Sequence, residues 1–280
     1  MQWYMELLKA DHARQFEGRD MNWVEEIRLS VGYPLCIRSE HKTELLWPKL
    51  TQKDLEQTVN AACQQSVYAH TETLRKGFLT IDGGHRIGIC GFGVLQDGEI
   101  HSIRAVSSII IRVARQVIGC ADRLVDKVLL STLIIGPPGT GKTTLLRDLV
   151  RQLSDKRSQR IALVDERGEL SASLFGVPQF DLGINTDVMI NIPKSDAAIM
   201  MLRSTNPQWI AMDEITSAED VRVMEEISYC GTHLLATAHA ADHSDLLNRP
   251  LYKSMMERKI FRTLVLLHRD KSYDIREVVT

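Results

Sequence analysis

Gly136-Pro137-Pro138-Gly139-Thr140-Gly141-Lys142-Thr143, followed by Thr144, fits the pattern G-x-x-x-x-G-K-[ST]. In that pattern the glycines let the backbone approach a phosphate chain, the lysine reaches the terminal phosphates and the hydroxyl meets a magnesium ion. The flanks agree with this chemistry. Residues 128–135 form an apolar run that reads as a buried strand. Residues 144–153 put Leu145, Leu146, Leu149, Val150 and Leu153 on one side of a helix. A strand, a glycine turn and a helix N-terminus make an anion site, because free N–H groups and the positive helix end face one point. Gly136, Pro137, Pro138, Gly139, Thr140, Gly141, Lys142, Thr143 and Thr144 are the expected contacts of a nucleotide phosphate tail. Lys142 is expected on the β- and γ-phosphates, and Thr143 on Mg²⁺.

Hydrolysis of a nucleotide also needs a metal-binding carboxylate, a group to activate water and a cation for the developing charge. Trp209-Ile210-Ala211-Met212-Asp213-Glu214 runs from apolar residues into two acids. A buried strand ending this way sets its acids beside the phosphate loop, on the expected adjacent strand. Asp213 is the expected magnesium ligand, largely through water. Glu214 is expected to orient or deprotonate the attacking water. Ile161-Ala162-Leu163-Val164-Asp165-Glu166 repeats the design, so Asp165 and Glu166 are candidates to face the γ-phosphate or its water. Thr237-Ala238-His239 ends a further strand, where His239 could sense the γ-phosphate. Arg86, Arg104, Arg112, Arg115 and Arg203 are candidate arginine fingers, with the 100–115 segment, Arg112 included, expected to reach a neighbouring subunit.

These residues need elements to hold them. Strands are expected at 128–135, 161–164, 209–212, 233–237 and 261–267, with amphipathic helices between them. Ser217 and Asp220 start one helix as a capping box, and Gly231 lies just past its end. Apolar strands alternating with helices predict an α/β domain over 121–280, with a parallel sheet covered on both faces. Residues 1–120 read as a smaller α+β domain. Short strands are expected at 24–29 and 35–38, a helix behind Thr51 and Asp54, and a second helix ending at Gly77. A β-meander then follows over 78–103, turning at 82–84 and at 97–98. Glycines crowd this meander, but Gly91-Phe92-Gly93 completes no second phosphate loop, and turns and close backbone approach explain them better.

Composition sets outer limits. The chain has 280 residues, 44% hydrophobic and 25% charged, with a formal net charge of −2. That balance gives no global attraction to nucleic acid, and none is expected as a partner. Five scattered cysteines without C-x-x-C spacing argue against a zinc site or a disulfide framework and for a reducing compartment. No apolar stretch is long enough for a membrane helix, and the first residues lack the pattern of a signal peptide. A cytoplasmic protein is expected, reaching a membrane only through partners.

The C-terminal half resembles the type II/IV secretion ATPases. Their phosphate loop, acidic box, Walker B segment and histidine box correspond to residues 136–143, 164–169, 210–215 and 231–239. The stretch Met201-Leu202-Arg203-Ser204-Thr205-Asn206-Pro207 is also similar. That family usually has glycine before the Walker B glutamate, whereas this chain has Asp213. Across nearly the whole chain, residues 25–35, 77–88 and 109–115 resemble the stage III sporulation AA family of endospore-forming bacteria. The resemblance implies a RecA-like P-loop ATPase domain of the ASCE/AAA type, using ATP and Mg²⁺. It further implies a mother-cell ring hexamer, with the nucleotide near a subunit boundary, that powers or assembles a transport channel to the forespore with membrane-protein partners. Two other readings remain at this point: a nucleotide-dependent binding switch with little hydrolysis, and a nucleic-acid motor or loader of the same fold class.

Overall fold

The computed structural model describes residues 3–21, 23–64, 78–96 and 99–278. The expected helix end at Gly77 and the turn at 97–98 lie outside these residues. The chain divides into two compact units, Met1–Arg115 and Gln116–Thr280.

The first unit is a six-stranded sheet. Its strands are β1 (Glu26–Ser30), β2 (Pro34–Arg38), β3 (Thr43–Lys49), β4 (Phe78–Thr80), β5 (Arg86–Gln96) and β6 (Glu99–Arg112). They lie in the order β3-β2-β1-β6-β5-β4, every pair antiparallel. Alternation puts Ile27 and Leu29 of β1, Leu35 and Ile37 of β2, and Ile109 and Ile111 of β6 into one core. Among the described residues the helices beside the sheet are α1 (Tyr4–Leu7), α2 (Ala10–Ala13) and α3 (Gln52–Gln64). Leu7, Phe16, Leu55 and Ala62 supply the other side of that core. As the sequence suggested, Thr51 and Asp54 open α3. Thr51 N–H donates to Asp54 Oδ2 at 2.8 Å, and Asp54 N–H donates to Thr51 Oγ1 at 3.3 Å. Two strands differ from expectation. β5 runs straight through Gly88, Gly91 and Gly93, and β6 joins the expected strand at 99–103 to the apolar run at 109–111. The two strands stay paired along their length because each bulge shifts the register and the ladder then resumes.

The second unit carries β7 (Thr132–Gly136), β8 (Ile161–Asp165), β9 (Thr186–Ile190), β10 (Trp209–Met212), β11 (His233–His239), β12 (Thr263–Leu267) and β13 (Tyr273–Glu277). The order is β13-β12-β7-β11-β10-β8-β9. All neighbours are parallel except the edge pair β12–β13. The helices are α4 (Lys142–Arg157), α5 (Lys194–Thr205), α6 (Ala218–Tyr229), α7 (His243–Asn248) and α8 (Pro250–Glu257). Alternate strand residues feed two cores. Leu133, Ile135, Ala162, Val164, Ile210 and Met212 meet Ala198, Met201, Met224, Ile227 and Met255. On the other face Ile134, Leu163, Ala211 and Leu235 meet Leu145, Leu146, Leu149, Val150 and Leu153 of α4. Covered on both faces, the inner strands are apolar throughout, which is what made them legible as runs.

The strand expected at 128–135 starts only at Thr132, because Val125–Lys127 forms a 3₁₀ turn and Leu129 and Leu130 remain exposed. Likewise the strand expected at 261–267 begins at Thr263. β10 is not next to β7: β11 lies between them. The acids at the end of β10 therefore stand one strand away from the loop, not on the adjacent one. Among the described residues no helix is long and apolar enough to cross a membrane. No disulfide joins the five cysteines.

Candidate functional site

The loop after β7 is shaped by two glycines. A Cβ on Gly136 would stand 2.6 Å from Leu267 O, so only glycine lets the chain leave the sheet there. Gly141 has φ +100°, a left-handed conformation that turns the chain into α4. Thr140 Oγ1 closes the loop by donating to Pro137 O at 2.9 Å. The first bond of α4 runs from Leu145 N–H to Gly141 O at 2.9 Å. The amides just before it form the open end of the helix, with Thr143 and Thr144 on its first turn. A second cation braces the loop from outside. Lys271, in the β12–β13 turn, donates to Thr140 O at 2.9 Å and Gly139 O at 3.3 Å.

Lys142 is buried with its ammonium folded back on the loop. It donates to Gly136 O at 2.9 Å and to Pro137 O at 3.1 Å, and meets His239 Nδ1 at 2.9 Å. Burial pushes its pKa below the ordinary lysine range, opposed by the charges of Asp213 and Glu214. His239 ends β11, the strand between β7 and β10. Its Nε2 lies 3.2 Å from Glu214 Oε1. With Nδ1 accepting from the ammonium, Nε2 carries the proton and donates to the glutamate. The histidine thus bridges Lys142 and Glu214 from the end of the intervening strand.

Asp213 is fixed by two hydroxyls. Thr143 Oγ1 donates to its Oδ2 at 2.7 Å, and Thr237 Oγ1 bonds its Oδ1. Thr237 also accepts Glu214 N–H at 2.8 Å. Glu214 itself has φ +49°, left-handed for a non-glycine residue. Its carboxylate also lies 3.9 Å from Arg167. Glu166 lines the same pocket as Asp213, Glu214 and Glu169. Asp165 lines that pocket too, but its carboxylate is taken up by the main chain. Buried at the end of β8, it accepts Glu169 N–H at 2.8 Å, Leu170 N–H at 3.2 Å and Ser171 N–H at 2.8 Å, which ties down the acidic loop. From the loop helix, Arg147 holds the same segment, donating to Leu170 O at 2.6 Å and Glu169 O at 2.8 Å.

The candidate arginines fall in both units. Arg112 ends β6 opposite Glu26 and Arg86. Arg104 lies in the same strand, and Arg115 donates to Val24 O at 2.5 Å. Arg203 is on α5. The sequence reading missed Lys194, Lys271 and Arg147. Each works through backbone carbonyls far along the chain, and a lone basic residue at such a distance leaves no local signature. For Lys271 alone the tight turn after an apolar strand was a usable hint.

The donors of this site suit a magnesium–nucleotide. Among the described residues no three His, Cys, Asp or Glu side chains converge as an all-protein metal cage. One hydroxyl and one carboxylate, Thr143 and Asp213, stand together 2.7 Å apart. That is the sparse, hard-oxygen arrangement magnesium accepts when water and phosphate oxygens complete its shell. An open space beyond Gly139, where an added Cβ would meet no atom within 4 Å, leaves the loop accessible to a phosphate. The residues fit the group.

A phosphate loop whose strand is separated from the acidic strand by one other strand defines the RecA-like class of P-loop folds. Solved structures share this architecture. The pilus retraction motor PilT, solved with bound ADP, superposes with a TM-score of 0.62 at 18% identity, over 92% of this chain and 80% of that one. The ATPase DotB of Legionella pneumophila gives a TM-score of 0.58 at 16% identity, over 90% and 75%. Likeness at such identity concerns the fold alone. Sequence similarity goes further. Residues 6–278 match the family described as "Sporulation stage III, protein AA". Stage III sporulation protein AA of Bacillus subtilis (strain 168) is 36% identical over 256 residues, which span 89% of this chain and 83% of that protein. The chain belongs to the sporulation stage III protein AA family.

Proposed function

We propose that this chain binds ATP with Mg²⁺ and hydrolyses it. The observation that carries the reading is the line from Lys142 through His239 to Glu214, at 2.9 and 3.2 Å, beside the Thr143–Asp213 pair. When bound, the magnesium–nucleotide supplies an electrophilic phosphoryl group and the charge that offsets its oxygens. The amides at the start of α4 and the Lys142 ammonium hold the phosphate tail. In doing so Lys142 gives up its bonds to Gly136 O and Pro137 O. Thr143 and Asp213 hold the metal. Glu214, oriented by His239 Nε2–H, positions a water and takes its proton at the carboxylate. Glu166, on the same pocket, is a further acid able to hold that water.

The motor role is proposed on family membership and the secretion-ATPase-like fold. In this reading the protein assembles as a ring hexamer on the mother-cell side. It works with membrane-protein partners to power or assemble a channel to the forespore. An arginine of the 100–115 segment, Arg112 foremost, would act on a neighbouring copy's site, coupling hydrolysis to subunit movement.

Calorimetry of Mg-ATP binding, with steady-state hydrolysis and light scattering, tests this. Wild type should bind and turn over ATP. Lys142→Ala should weaken binding by about 30-fold or more, the loss expected for a buried charge-assisted contact. Absence of binding heat in folded, assembled protein would end the proposal. Full turnover in Arg104→Ala, Arg112→Ala and Arg115→Ala would remove the arginine component alone.

A further inference from the structure

Asp213 and Glu214 are consecutive, and this sets a geometric problem. In an extended chain neighbouring side chains point to opposite faces, so two adjacent acids would not serve one site. The backbone solves this by turning Glu214 into the left-handed region, φ +49°. A non-glycine residue there is under strain and stays only if its surroundings hold it. Thr237 holds the amide side, accepting Glu214 N–H at 2.8 Å. The carbonyl side is held by a residue outside the nucleotide motifs.

Lys194, the first residue of α5, is nearly buried, its side chain 12% exposed. Its ammonium donates to Asp213 O at 3.3 Å and to Glu214 O. Two successive carbonyls can meet one cation only when the chain between them is turned, and the turn is the one at Glu214. The ammonium also stands 3.7 Å from Asp220 Oδ2. That carboxylate accepts Thr216 N–H at 2.9 Å and Ser217 N–H at 3.0 Å. Residues 213–217 are thus pinned from both sides. A cation gathers the carbonyls before the turn, and an anion gathers the amides after it. The same lysine lines the pocket shared by Glu166, Asp213 and Glu214.

We propose that Lys194 is the positioning residue for the acidic pair: bonded to two consecutive carbonyls, it holds Glu214 in its left-handed turn and aims its carboxylate at the water. The assignment rests on the hydrolytic reading above. The contacts of Lys194 are with two main-chain carbonyls and Asp220. Lys194 acts through the Asp213–Glu214 main chain, and it links α5 to the chemistry.

The test uses full-length Lys194→Met, which keeps the aliphatic stem, and Lys194→Arg, which keeps a cationic donor. Three measurements are made: Mg-ATP affinity by calorimetry, kcat and KM, and amide hydrogen exchange over residues 212–220. In Lys194→Met, kcat should fall about 10–100-fold, the cost of misplacing a reacting group by about an ångström. The affinity and KM should stay within about threefold. Lys194→Arg should restore kcat to within about fivefold, and in a Glu214→Gln background Lys194→Met should cost less than about twofold more. Amides of residues 214–217 should exchange about tenfold faster in Lys194→Met, with α4 unchanged. An unchanged kcat, a parallel loss of affinity, or failure of arginine to rescue would overturn the assignment. If Lys194→Met does not fold, Lys194→Gln, shorter and uncharged, takes its place with the same expected outcomes. Should wild type neither bind nor hydrolyse ATP, the hydrolytic reading falls. Exchange then decides by itself whether Lys194 holds the turn, and unaltered rates at 214–217 would refute it.

Discussion

Thr237→Val isolates what one buried hydroxyl does for the site. Valine matches threonine in shape, so the change opens no cavity and removes only polar contacts. Thr237 is fully buried. Its hydroxyl serves two partners: it bonds Asp213 Oδ1 and accepts Glu214 N–H at 2.8 Å. Loss of the acceptor strands a buried amide, at about 1–3 kcal/mol, and a hydrogen bond to a charged group contributes about 1.5–3 kcal/mol. Asp213 is only half-buried and keeps the Thr143 bond, so the second figure is to be discounted for water. The expected loss is about 2–4 kcal/mol. Trp209 lies in β10, and replacing Trp3, Trp23 and Trp47 by Phe leaves it as the reporter of the second unit. In that background, urea unfolding by fluorescence should show a lower midpoint with an unchanged slope. Thr237→Ser, which keeps the hydroxyl, should lose only about 1 kcal/mol, the value of one methyl group. A Thr237→Val loss below about 0.5 kcal/mol, or one equal to that of serine, would refute the reasoning, since the hydroxyl would then hold nothing.

Other outcomes follow from the same geometry. His239→Ala removes the bridge between Lys142 and Glu214, so kcat should fall about 10–100-fold, with Mg-ATP affinity, read by calorimetry, within about threefold. In the first unit, burial lowers the pKa of His85 from 6.5 to about 4, with the charge of Asp82 opposing. Its Nδ1 accepts Ala114 N–H at 3.0 Å, a bond only an unprotonated Nδ1 can take. Between these two values the unfolded chain binds more protons than the folded one. Stability is therefore full above about pH 6.5 and declines towards pH 4, by up to about 3 kcal/mol. His85→Gln should flatten that slope in melts followed by circular dichroism, and an unaltered slope would sink the assignment. Burial first, then the Asp148 charge, raises the Cys120 thiol to about 11. At pH 8 it should react with iodoacetamide at least about tenfold more slowly than exposed Cys90 and Cys230, as read by peptide mass spectrometry.

Much of the architecture was legible because its signals are local. The strand, glycine turn and helix around residues 132–157 announce themselves within one stretch of chain. So does the capping box at Ser217 and Asp220, where Asp220 N–H donates to Ser217 Oγ at 3.1 Å. The inner strands β8, β10 and β11 were readable as apolar runs because both of their faces are covered. Edge strands β9 and β13 were not, since half-exposed strands carry no such run. β3 was missed for the same reason, with Leu45 and Trp47 facing outward.

The residue types that could bind a phosphate and a metal were set by the sequence alone: Lys142 and Thr143 open the helix after β7, Asp213 and Glu214 follow β10, and His239 ends β11. What they touch was decided only by the tertiary structure. Strand order is not written in any one segment, because parallel neighbours join through crossovers and pair across long separations. That order inserts β11 between β7 and β10. It turns His239 from a strand-end histidine into the contact between a lysine 97 residues away and the glutamate. It also brings Lys194 onto the carbonyls of Asp213 and Glu214, and commits Asp165 to three backbone amides. Spacing along a chain specifies chemistry where the contact is within a turn or a helix. Where the partners lie on different strands, only packing of the whole sheet sets the distance.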